Sequence, residues 1–167
     1  APFSRLAHIP RSRDMSLDSP ILDYSRQQAE KNAIRLMAYS GAILPDPSGK
    51  IGDIAIQDII ETGVSFAFNA RRCLENYGAD PDISQRRWSY HLYGEVCVEK
   101  KLKKALNGII HARNLRIHHA EAPESIFQEH SNGLFLHFVY ETEKYPEKYV
   151  DIFGLSWAFL TLKLPSE

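Results

Sequence analysis

The chain predicts a mainly α-helical fold, a bundle of about five helices with room for one short β element in residues 124–164. Three observations carry this expectation. Apolar residues recur at spacings of three and four over long stretches, proline and glycine fall between those stretches rather than inside them, and the composition is that of a globular chain, 44% hydrophobic and 25% charged. At 167 residues the length suits one domain with a sizeable core. The expected division is a flexible or draped arm over 1–19 and a single helical domain over 20–164. Residues 1–20 carry three prolines (Pro2, Pro10, Pro20) among Arg5, Arg11, Arg13, Asp14 and Asp18, and lack the apolar stretch of a signal peptide.

Ser19-Pro20 marks the first helix start, because serine caps free N–H groups and proline fits the first turn. Leu22, Ala29, Ala33, Leu36 and Met37 then follow at helical spacing, up to the break at Pro45-Asp46-Pro47-Ser48-Gly49. Asp53 is placed to cap a second helix, on which Ile56, Ile59, Ile60, Gly63, Phe66, Ala67, Ala70, Leu74 and Tyr77 form one face. Gly78 and Pro81 stop it. Gly63 and Ala67 would let a neighbouring helix approach closely. A third helical piece is expected over 84–93, and a fourth helix over 95–119 with Pro123 behind it. Residues 134–140 fit a strand or a buried helical turn. Val150, Phe153, Trp157, Leu160 and Leu164 favour a final helix, apolar nearly all round and therefore buried in the core or in a partner subunit. The two cysteines, Cys73 and Cys97, form no CxxC pair and sit among apolar residues, as buried free thiols of a reducing compartment do.

The net charge of −1 conceals an asymmetry. Residues 100–120 hold six basic residues (Lys100, Lys101, Lys103, Lys104, Arg113, Arg116) and no acid, whereas residues 121–167 hold eight acids against Lys144, Lys148 and Lys163. A local basic patch attracts phosphate backbones even on a neutral protein, although most such runs are simply solvated helix faces.

Inside the patch stands Arg113-Asn114-Leu115-Arg116-Ile117-His118. Arginine holds phosphate oxygens in a planar fork, and histidine gives and takes protons near neutral pH, so the combination suits RNA cleavage without a metal. On a helix, Asn107, His111, Asn114 and His118 would share about 60° of arc, while Arg113 would fall in the middle of the apolar face formed by Leu102, Leu106, Ile109 and Ile110. A guanidinium there needs a buried acid, a cleft or a second subunit. Arg113 and His118 would diverge by about 140°, so a kink, long reach or a two-fold partner must bring them together. Arg86 and His91 repeat the Arg-x4-His spacing, but Arg86 is followed by Arg87 instead of asparagine.

The Arg-Asn-x-x-x-His pattern within a helical context over 20–122 resembles the HEPN superfamily, small helical domains found in RNases of toxin–antitoxin, CRISPR and RNase L-like systems. That resemblance implies a homodimer with a composite site at its interface and a defence, toxin or RNA-processing role, alongside an antitoxin or regulatory protein. The catalytic residues would be Arg113, Asn114 and His118. His118 would move the proton, Arg113 would hold the charge developing on the phosphoryl oxygens, and Asn114 would orient His118 or bind the phosphate. Lys100, Lys101, Lys103, Lys104, Arg116, His111 and His119 would contact the substrate, RNA, with His119 also offering an alternative Arg-x5-His spacing. The residues after His118 lack the tyrosine that some HEPN toxins present for modification.

This chemistry calls for no metal and no cofactor. His111, His118 and His119, or His118 with Glu121, could supply metal ligands, but there is no HExxH, CxxC or repeated Glu-x-x-His. There is no Walker loop, GxGxxG or GxSxG, and no run of apolar residues long enough for a membrane span, so a cytoplasmic setting is expected. Two rivals remain: a non-catalytic HEPN-like module binding RNA, a nucleotide or a protein, and an all-α interaction protein whose motif is accidental.

Overall fold

The structure, a computed structural model, describes residues 19–85, 96–122, 127 and 130–163. It is a mixed α/β fold rather than a five-helix bundle. Among the described residues four helices and five strands run in the order α1 (Ser19–Gly41), β1 (Leu44–Pro45), α2 (Lys50–Tyr77), β2 (Cys97–Val98), α3 (Leu102–Ile110), β3 (Asn114–Glu121), β4 (Asn132–Glu141), β5 (Lys148–Asp151) and α4 (Ile152–Leu160). Among the described residues no helix is long and apolar enough to cross a membrane.

The first half follows its periodicity. α1 and α2 form an antiparallel pair, since Ser25 meets Arg72, Asn32 meets Ser65 and Arg35 meets Asp58. Tyr39 also donates to Asp58. Gly49 rather than Asp53 is the N-cap of α2, and Asp53 lies in the first turn, where its charge still complements the helix dipole. The helix ends at Gly78, whose φ of 65° is the left-handed conformation that glycine adopts without strain.

β4 is the central strand. β3 pairs with it antiparallel along almost its whole length, β5 pairs antiparallel over His137 to Tyr140, and β1 pairs with its first two residues. β2 then adds parallel to β5. The helices pack against one face of this sheet: Ala33, Leu36, Phe66, Ala67, Leu74, Leu106, Leu155 and Phe159 share a core with Ile117, Phe138, Tyr140 and Val150. A Cβ on Gly63 would come within 2.3 Å of Phe138 Cζ, so the small residue admits a sheet side chain and not another helix.

The fourth expected helix is the main correction. Only Leu102–Ile110 is helical, and the chain then turns and extends as β3. Beyond His111 the apolar residues Leu115 and Ile117 alternate, which suits a strand with one buried face. β4 offers that strand a partner, and every residue from Asn132 to Tyr140 is buried. The expected helix over 84–93 falls mostly on residues outside those described, and Ser84 and Gln85 are not helical. The expected arm over 1–19, apart from Ser19, which begins α1, and the Arg86/His91 pair also lie outside the described residues. Cys73 is fully buried as expected, with its thiol pushed up to about 11 mainly by that burial, whereas Cys97 is exposed.

α4 buries Ile152, Leu155, Ala158 and Phe159 within its own chain, and Asp151 caps it by accepting from Gly154 N at 2.6 Å. Its apolar character therefore does not require a second subunit.

Candidate functional site: a basic cleft at the end of the sheet

Period-two alternation separates the residues of the Arg-Asn-x-x-x-His motif. Leu115 and Ile117 point to the helical layer, so Asn114, Arg116 and His118 point to the opposite face. The register shifts between His118 and His119, leaving Leu136 as an extra residue, and His119 returns to the helical side against the Phe135 ring. Arg113 continues the ladder through its N–H to Glu141 O at 2.8 Å, and its side chain lies on the α3 side. Within one chain the sheet stands between Arg113 and His118. Arg113 is also far from an apolar helix face: it is exposed and bonded to Glu143 at 3.1 Å.

On the far face His118 meets a partner that sequence spacing did not suggest. Its Nδ1 lies 3.0 Å from Nδ1 of His137, directly across the strand pair, so one ring donates and the other accepts. His137 is 1% exposed, and Tyr149 sits edge-on to both imidazoles. Burial, then Arg116 and His119, hold the His118 imidazole below its ordinary value. A neutral ring agrees with this bond, because two imidazolium N–H groups would meet head to head. Arg116 donates to Glu147 at 2.8 Å and to Tyr149 Oη at 3.1 Å.

Arg113 belongs to a different constellation. A cavity of about 740 Å³ opens where α3 passes the ends of β4 and β5. Lys104, Asn107 and Gly108 of α3 and its C-cap His111 line it, spaced by three and four along one helical stripe. Tyr140 comes from β4, Thr142, Glu143, Lys144 and Tyr145 from the following turn, Lys148 from β5, and Glu99 from the end of β2. Gly108 lets the Tyr140 ring lie against α3: a Cβ at that position would lie 2.1 Å from Tyr140 Cε2 unless the ring moved.

The charges are unevenly matched. Buried Glu99 accepts from Lys148 Nζ at 3.1 Å and from the Lys100 and Lys101 backbone N–H groups. Glu143 takes Arg113, in an exposed pair worth at most about 1 kcal/mol. Lys104 and Lys144 have no carboxylate partner among the described residues. Two buried polar atoms on the same lining, Tyr140 Oη and Asn107 Oδ1, make no hydrogen bond among the described residues. Tyr140 is 3% exposed, and burial, reinforced by Glu99 and Cys97, pushes its hydroxyl far above the ordinary tyrosine value, so it remains protonated.

Of the expected substrate contacts, Lys104 and His111 join Arg113 at the cleft. Lys101 is held by Asp82 at 2.6 Å, the Lys103 N–H reaches Asp80, and Lys100 is exposed outside the cleft lining. Arg116 and His119 point to opposite faces of the sheet. His111, His118, His119 and Glu121 assemble no group of three or more metal-ligating side chains among the described residues. Tyr140, Lys144, Lys148 and Glu99 were missed because nothing local ties them to α3. The signal within reach was the pair of lysines, Lys144 and Lys148, flanking Tyr145-Pro146 in an otherwise acidic segment. No protein-family model, no curated protein and no solved structure matches this chain.

Proposed function

We propose that this chain binds RNA through the basic cleft, with a phosphate held at its mouth by Lys104, Arg113 and Lys144 and with His111 beside them. The observation carrying this reading is the convergence of these side chains on one cavity while two of its lysines lack carboxylates among the described residues. A phosphate would displace Glu143 from Arg113 at little cost, since that ion pair is solvated. The arginine fork and the lysine point charges then divide the work of orientation and attraction.

The test is fluorescence anisotropy with a labelled single-stranded RNA over a salt series. Lys104→Ala/Lys144→Ala should weaken binding and reduce the slope of log affinity against log salt by about 0.7 for each phosphate that is no longer neutralised. Lys31→Ala, on the exposed side of α1, should leave the slope alone. A double variant with the wild-type slope would remove the cleft from RNA binding.

A second reading adds cleavage, and the imidazole pair favours it. His118, with the Arg116 guanidinium on the same face, supplies a base and a cation, and the buried His137 holds the His118 ring through its Nδ1. His118 would take the ribose 2′-OH proton as O2′ attacks phosphorus and return it to O5′ as the P–O5′ bond breaks. The products are a 2′,3′-cyclic phosphate and a 5′-OH end. Cleavage should survive excess EDTA and be lost in His118→Ala. Activity that EDTA abolishes and Mn²⁺ restores would refute this metal-free route.

A further inference from the structure

We infer that the inner end of the cleft reads the edge of a nucleobase, so that the ligand is a single unpaired nucleotide lying base inward and phosphate outward. This rests on the phosphate-binding reading of the same cleft and adds to it what the other end of the ligand must be.

The inner end is defined by two leftovers of folding. Tyr140 Oη and Asn107 Oδ1 are both buried, both line the cleft, and neither has a partner among the described residues. Buried polar groups are nearly always hydrogen-bonded, and an unbonded one lowers stability. Two of them on one cavity are costly to keep unless a ligand uses them. Their placement is also specific. Gly108 leaves room for the Tyr140 ring to lie directly on α3, and Asn107 is the residue next to it.

The chemistry of this pair selects its ligand. A protonated phenol donates one hydrogen bond and accepts others, and a carboxamide does both. Their complement is a neutral group with donors and acceptors side by side in one plane, which is what a base edge presents. A second charged group would fit poorly here, because the nearby Glu99 and Lys148 already neutralise one another at 3.1 Å. The mouth is the reverse: Lys104, Arg113 and Lys144 give it an excess of positive charge. The cleft is thus polar but neutral inside and cationic outside, and a nucleotide has the same gradient of charge. A volume of about 740 Å³ is within the range of pockets that enclose small organic ligands. Tyr145, 59% exposed on the lining, offers a ring on which a base can stack as it enters.

The experiment is isothermal titration calorimetry of the full chain with the four 5′-ribonucleoside monophosphates, ribose 5-phosphate and inorganic phosphate. At least one mononucleotide should bind at least tenfold more tightly than ribose 5-phosphate. Tyr140→Phe removes one unbonded oxygen and keeps the ring, so it should fold normally, lower affinity for the preferred nucleotide about tenfold and leave phosphate affinity unchanged. Asn107→Leu should act in the same direction. Lys104→Ala/Lys144→Ala should weaken nucleotide and phosphate alike. If every mononucleotide binds no better than ribose 5-phosphate, or Tyr140→Phe leaves affinity within twofold, base reading is overturned while phosphate binding stands. If no phosphate compound binds at all, both readings fall together.

Discussion

Alanine at Gly63 and at Gly108 sets a methyl group against an aromatic ring in both cases, but the two rings have different places to go. At Gly63 the new Cβ would lie 2.3 Å from Phe138 Cζ and 2.7 Å from Cε1. At Gly108 it would lie 2.1 Å from Tyr140 Cε2 and 2.4 Å from Cζ. Ordinary carbon contacts need about 3.5–4.0 Å, so each ring must retreat by more than about an ångström. Phe138 is fully buried between Gly63 and its strand neighbours, and overpacking such a site costs about 1–3 kcal/mol. Alanine returns about 1 kcal/mol of helix propensity in α2. Overpacking outweighs this over most of its range, and Gly63→Ala should lower stability by up to about 2 kcal/mol, a fall in Tm of up to roughly 8 °C for a domain of this size. Tyr140 borders the 740 Å³ cleft and can swing into it. There the propensity gain largely offsets the strain, and Gly108→Ala should melt within about 3 °C of wild type. The displaced ring would then occupy the space a nucleotide needs, so binding should be lost. Differential scanning calorimetry and nucleotide titration on both variants give the two readouts. A Gly108→Ala protein destabilised as much as Gly63→Ala, with binding intact, would refute the claim that the cleft gives Tyr140 room to move.

Two other perturbations have outcomes fixed by burial. The His118 imidazole is held below its unfolded value, so the unfolded chain binds more protons as pH falls below about 6.5. Its contribution to stability is therefore complete above that pH and is lost below it, as pH falls through the depressed folded value. Urea unfolding from pH 7.5 to 5.5 should show this decline, and His118→Phe should flatten it; an unchanged slope in the variant would place the titration elsewhere. The cysteines should separate under a thiol reagent, with exposed Cys97 reacting in the native state and buried Cys73, its thiol pushed up to about 11, reacting only on unfolding. Mass spectrometry of the labelled peptides reads both, and native labelling of Cys73 would contradict the close-packed α2 core.

How much could be read from the chain alone follows from the range of the interactions. The starts, stops and buried faces of α1 and α2 depend on neighbours within a few residues, so Ser19-Pro20, the Pro45–Gly49 break and Gly78 all carry local information. The final helix was legible for the same reason. β3 was not, because a single long helix accommodates Leu102, Leu106, Ile109 and Ile110, and nothing local enforces a change of period after His111. The clue was Arg113, which the helical reading placed in an apolar stripe. In the strand that conflict disappears, since Arg113 alternates with Asn114 at the solvent-exposed end. The cleft was half legible. Asn107 and His111 do share a face of α3, and Lys104 lies on it. Tyr140, Lys144 and Lys148 reach them only through the pairing of β4 with β5, and that partnership is non-local.

The fold also redistributes the functional weight of the motif. An edge strand needs polar and charged side chains to discourage pairing with other chains, and among the described residues β3 pairs only with β4. Asn114 and Arg116 meet that need without any further role, and Arg116 is already satisfied by Glu147 and Tyr149. The imidazoles of His118 and His137 likewise satisfy one another at 3.0 Å. Structure alone thus accounts for much of what the motif contains. It does not account for the cleft, where two buried polar atoms have no partner and two lysines have no carboxylate among the described residues. Groups that folding leaves unsatisfied are the ones whose retention needs another explanation, and among the described residues two of the three buried unbonded polar atoms, Tyr140 Oη and Asn107 Oδ1, lie at the cleft, the third being Arg26 Nε on α1, and none at His118.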